Sequence, residues 1–131
     1  MQKKVTEQYV VDAFSFTEAE ARIIEQMSHY ISGEFKVVEI DRCVFKEIFF
    51  SDEDLADKWY KSKLQFITID EKTDKEKKTA VYYLVQGSSL ENARKNIDEV
   101  MGGTMIDYVI SNISETKFMD VYEHASKKAE E

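Results

Sequence analysis

Two stretches of the chain, Lys4 to Asp12 and Lys78 to Gln86, are rich in β-branched and aromatic residues and free of glycine and proline, which predicts strands. Each leads to a serine, Ser15 or Ser89, suited to cap a helix. Glu18 stands three residues beyond the first and completes a capping-box pattern, with Asn92 at the matching place in the second. Apolar residues then recur every three or four positions, as Phe16, Ala19, Ile23, Met27 and Ile31 and again as Leu90, Ala93, Ile97 and Met101. These stripes predict two amphipathic helices, ending near Gly33 and near Gly102-Gly103, where a left-handed residue costs least. Extended segments follow, Glu34 to Phe50 and Thr104 to Tyr122, each bent or broken near Arg42 and Thr116.

The two series are one series written twice. Sliding the chain by 74 positions pairs residues 3–27 with 77–101, and nine of the twenty-five pairs are identical, among them Tyr9/Tyr83, Val11/Val85, Ser15/Ser89, Ala19/Ala93, Ile23/Ile97 and Met27/Met101. Composition alone would give roughly one or two. After one residue of slippage the match resumes with Phe35/Tyr108, Val37/Ile110, Ile40/Ile113, Phe45/Phe118, Ile48/Val121 and Phe49/Tyr122. The expected fold is therefore α+β: tandem pseudo-symmetric β-α-β repeats with two helices packed on antiparallel sheet. One domain is expected, with a first copy over 1–50, a linker turn over 51–57, a second copy over 58–124 and a frayed tail over 125–131.

The second copy has a strand that the first lacks. Trp59 to Ile69 is strongly β, and the polar run Asp70 to Asp74 joins it to the next strand as a hairpin turn. In the first copy the matching strand would lie ahead of Met1. Either that copy is one strand short or Met1 is an internal methionine of a longer reading frame. Both cases leave the first predicted strand with an unpaired edge, which predicts self-association or a protein partner.

Charge and chemistry narrow the picture further. The formal net charge is −8, which disfavours general binding to duplex DNA or to an anionic bilayer. No apolar run reaches membrane-spanning length, no signal-peptide pattern opens the chain, and the single cysteine, Cys43, permits no internal disulfide; the expectation is a cytoplasmic protein with Cys43 packed as a small hydrophobe. No phosphate-binding glycine loop, metal-spaced histidine pair or nucleophile elbow is present, so no catalytic residue, cofactor or metal is assigned. His29 and His124 read as surface or helix-end residues. Asp52, Glu53 and Asp54 lack the glycine and closing glutamate of a calcium loop.

One constellation supports a second functional reading. Alternation along Trp59 to Phe66 places Tyr60, Leu64 and Phe66 on one face and Trp59, Lys61, Lys63 and Gln65 on the other. An aromatic ring with flanking cations can hold single-stranded nucleic acid by stacking and phosphate contact. Lys3, Lys4, Lys77 and Lys78 would add two equivalent basic points. Against this, Tyr82 to Val85 is apolar on both faces, which suggests that the second sheet face is covered and Trp59 is core.

The segments Ser15 to Arg22, Trp59-Tyr60-Lys61 and Lys77 to Val81 resemble an uncharacterised family of short proteins from gut anaerobic bacteria and their phages. The likeness covers nearly the whole chain and implies a mobile-element context. It also implies an additional Trp-containing strand at the N-terminus, and it supplies no activity or site residues. The expected function is a non-enzymatic accessory or binding protein acting at an exposed sheet edge, with single-stranded nucleic-acid binding as the alternative.

Overall fold

The computed structural model describes residues 5–123. It is an α+β structure with two helices and six strands: β1 (Gln8–Val11), α1 (Phe16–Ser28), β2 (Glu47–Phe49), β3 (Lys58–Ile69), β4 (Glu76–Gly87), α2 (Leu90–Gly102), β5 (Asp107–Glu115) and β6 (Phe118–Tyr122). The strands form a two-stranded sheet, β1-β6, and a four-stranded sheet in the order β2-β4-β3-β5. The described chain divides into two compact units, one running from Val44 to Lys117 and the other combining the residues up to Cys43 with those from Phe118 onward. Neither unit corresponds to one sequence copy.

In the larger unit β3 and β4 form a long antiparallel hairpin, with Trp59 opposite Gln86 at one end and Thr68 opposite Lys77 near the other. Its turn closes through the Asp70 N–H to the Lys75 carbonyl at 3.0 Å and the Asp74 N–H to the Asp70 carbonyl at 2.7 Å. Asp74 takes φ of 57°, a left-handed conformation that aspartate tolerates better than branched residues do. β5 adds antiparallel to β3, and β2 adds parallel to β4. The core lies between this sheet and α2, where Tyr60, Leu64, Phe66, Tyr83 and Val85 meet Ala93, Ile97 and Met101. Ser62 is buried among them and stays satisfied by donating to the Asn112 carbonyl at 3.1 Å.

The smaller unit holds β1, α1 and β6. The Arg22 guanidinium on α1 donates to the carbonyls of Asp12 and Glu123, tying the helix to the ends of both strands. Tyr9 and Tyr122 stack with ring centroids 5.9 Å apart.

The helix starts follow the sequence. Ser15 Oγ accepts from the Glu18 N–H, and Ser89 Oγ from the Asn92 N–H, each at 3.1 Å. Glu18 reaches back to the Phe14 N–H at 3.3 Å, and Asn92 does the same for Ser88 at 3.0 Å, so the shorter amide replaces the carboxylate in the second helix. The helix ends differ. α1 stops at Ser28 with His29 as its cap, short of Gly33, and Gly103 caps α2 with φ of −81°, not left-handed.

Three further expectations are corrected. Residues 34–45 form no ladder; Lys46 donates its N–H to the Tyr82 carbonyl at 2.7 Å, and only Glu47–Phe49 of the expected Glu34 to Phe50 segment is a strand. The sheets are not purely antiparallel, because β1-β6 and β2-β4 are parallel pairs. Cys43 is exposed, since the segment around it packs into no sheet.

An offset of 74 residues between β1 and β4, and of 73 between β2 and β6, relates these parallel pairs to each other. β2 pairs Glu47 with Tyr83, Ile48 with Leu84 and Phe49 with Val85. β6 pairs Asp120 with Tyr9, Val121 with Val10 and Tyr122 with Val11, the matching residue at every position. Likewise Asn96, which aligns with Arg22, donates to the Gln86 carbonyl at 3.0 Å, and Gln86 aligns with Asp12.

Candidate functional site

The lysine-flanked face of β3 is not assembled as a stacking platform. Trp59 is only 2% exposed. Phe50 meets its ring edge-on at 5.4 Å between centroids and an interplanar angle of 87°. The Trp59 carbonyl is held too, accepting the N–H and Oγ1 of Thr116 at 2.8 Å each. Lys61 lies over the Tyr82 ring, with Nζ 5.1 Å from the centroid, and Lys63 is half-buried. Lys77 and Lys78 are exposed on β4 opposite Thr68 and Ile67, nine and eight residues along β3 from Trp59. At the rise of a strand that places them about 30 Å away. Lys3 and Lys4 lie outside the described residues, as do His124 and the tail.

Groups able to do chemistry are scattered. His29 sits at the exposed end of α1. Asp52, Glu53, Asp54, Leu55 and Ser88 line a shallow, open depression rather than an enclosed pocket. Among the described residues no three of His, Cys, Asp and Glu come together as a metal site. The perturbed groups are tyrosines, all shifted upward. Burial is the main cause for Tyr60, Tyr83, Tyr122 and Tyr9, the last also donating to the Glu7 carboxylate. Tyr108 is raised chiefly by its 2.7 Å hydrogen bond to Asp98.

The open surface is at β1. Among the described residues this strand has one laddered neighbour, β6, whereas its counterpart β4 lies between β2 and β3. Residues 5–7 continue toward this strand without ladder or burial. The helix above is under-covered in the same way. Ala93 and Ile97 on α2 are fully buried, while the matching Ala19 and Ile23 on α1 are only half-buried. Phe14, Phe16, Ile24, Tyr30 and Val38 of this unit are exposed, Phe14 at 88%. Sequence reading found the edge through the repeat but missed this apolar surface. The available signal was that Phe14, Ile24 and Tyr30 fall outside the stripe begun by Phe16 and Ala19.

Residues 1–124 match the family described as a domain of unknown function, DUF4494, and the chain belongs to that family. No curated protein and no solved structure matches the chain. Among the described residues no helix is long and apolar enough to cross a membrane.

Proposed function

We propose that this DUF4494 protein is a non-enzymatic binding protein that acts through protein contacts at the open edge of β1, contact with a second copy of itself included. The observation that carries the reading is the single laddered neighbour of β1 among the described residues, beside a helix whose apolar face is partly bare. Unsatisfied strand edges bind by adding a strand, through main-chain hydrogen bonds that need no sequence motif. A reducing, cytoplasmic setting suits a chain whose one cysteine is exposed.

The alternative, single-stranded nucleic acid, keeps its lysines but has its stacking ring covered by Phe50. The two readings separate in solution. Sedimentation over a hundredfold range of protein concentration is expected to show a mass above the monomer that falls on dilution. Trp59 fluorescence is expected to ignore added oligonucleotide. A strict monomer throughout would remove self-association. Salt-sensitive quenching would favour nucleic acid.

A further inference from the structure

We infer that the open edge of β1 receives one extended segment with the chemistry of β3, antiparallel to β1, and that residues 34–42 then pair along the far side of that segment. The inference rests on the reading of β1 as a protein-binding edge and specifies what binds there.

Two anomalies of the smaller unit have one cause. β4 is laddered on one side by β2 and on the other by β3, and β3 in turn carries β5 on its outer side. β1 has the counterpart of β2, since β6 pairs with it in the matching register. The counterpart of β5 is also present in the sequence as residues 34–42, where Phe35, Val37 and Ile40 align with Tyr108, Ile110 and Ile113. Those residues nevertheless form no ladder. In the larger unit β5 is laddered to β3 and, among the described residues, to no other strand. A segment built like β5 cannot pair without its β3, so an empty place beside β1 accounts for both the open edge and the unpaired residues 34–42. It accounts equally for Ala19 and Ile23 being half-covered where Ala93 and Ile97 are buried.

The register fixes the chemistry of the occupant. Tyr60 lies opposite Val85 and Ser62 opposite Tyr83, and these partners correspond to Val11 and Tyr9. The incoming strand therefore carries a large apolar residue opposite Val11, as Tyr60 stands opposite Val85, and a small one opposite Tyr9, as Ser62 stands opposite Tyr83. The β3 of a second copy is not the donor, because both of its edges are laddered. The β1 of a second copy does not satisfy the site either. Its other edge is taken by its own β6, so it would leave residues 34–42 unpaired. The occupant is an extended peptide segment of alternating apolar pattern that is none of the described strands of this chain.

The full chain, isotope-labelled, is titrated with a synthetic peptide of the sequence of residues 58–69, and amide exchange is read residue by residue. Amides between Val5 and Val11 that point away from β6, together with amides in 34–42, are expected to slow at least tenfold, with Tyr83 to Val85 unchanged. The same peptide with its serine replaced by tryptophan, S62W, is expected to bind at least tenfold more weakly. Successive N–H groups of a strand point to opposite sides, so one of the two chain variants Val5→Pro and Thr6→Pro is expected to lose binding by a similar factor. Neither residue lies in a ladder of the free protein. Fusing residues 58–74 ahead of Met1 provides the strand without depending on peptide solubility and is expected to protect the same amides. Binding that leaves 34–42 unprotected, or that displaces the chain's own β3, overturns the inference. Absence of protection from both peptide and fusion also overturns it; if the chain still self-associates through β1, the broader proposal survives, and if it is a monomer, both fall.

Discussion

Gly87 ends β4 where the chain turns to meet α2. A Cβ there would stand 3.0 Å from the Ala93 backbone nitrogen and 3.1 Å from its Cα, and these backbone atoms cannot rotate out of the way. Its φ is not positive, so the glycine serves close approach and not an unusual backbone conformation. The aligned residue in the smaller unit is Ala13, and Ala19 aligns with Ala93. Gly87→Ala is expected to lower stability by roughly 1–3 kcal/mol through this crowding, read as a shift in urea midpoint without a change in slope. The cap residues are more forgiving, since Glu18 and Asn92 make the same reach-back bond with different side chains.

The β3-β4 hairpin is the element on which the larger unit is built, with β5 on one outer side and β2 on the other. Trp59 anchors its open end. Trp59→Ala removes a ring that is 2% exposed and is expected to cost about 3–5 kcal/mol by thermal or denaturant unfolding, with native tryptophan emission blue-shifted and poorly quenched by iodide. The hairpin was legible in the sequence because segments rich in β-branched and aromatic residues, with no proline or internal glycine, flank a polar turn. Both helix starts were legible from their serines. The 34–45 segment was not, because its alternation matches a strand while its pairing depends on a neighbour that local pattern does not reveal. The parallel placement of β2 beside β4 was hidden for the same reason: a three-residue strand carries no mark of direction. At the candidate site, alternation put Trp59 on the lysine side but could not show that the ring is buried against Phe50. The edge of β1 was readable only by comparing one copy with the other.

For the molecule as a whole, the tyrosines set an alkaline limit. Tyr9, Tyr60, Tyr83, Tyr108 and Tyr122 all hold their protons more tightly when folded. Their contribution is fully present below the unfolded value of about 10, and it is lost as pH rises from there through the folded values. Urea midpoints are therefore expected to be unaffected by tyrosine ionisation between pH 7 and 9 and to drop steadily above pH 10. The exposed Lys58–Glu115 pair at 3.6 Å, with both side chains at least half exposed, adds little to that balance. The parallel pairing of β1 with β6 also bears on synthesis. Phe118 follows Val11 by 107 positions, so at ribosomal speed β1 emerges on the order of ten seconds before the strand that pairs with it. Throughout that interval the nascent chain exposes both edges of β1 to chaperones and to neighbouring chains, and the smaller unit closes only once β6 has emerged.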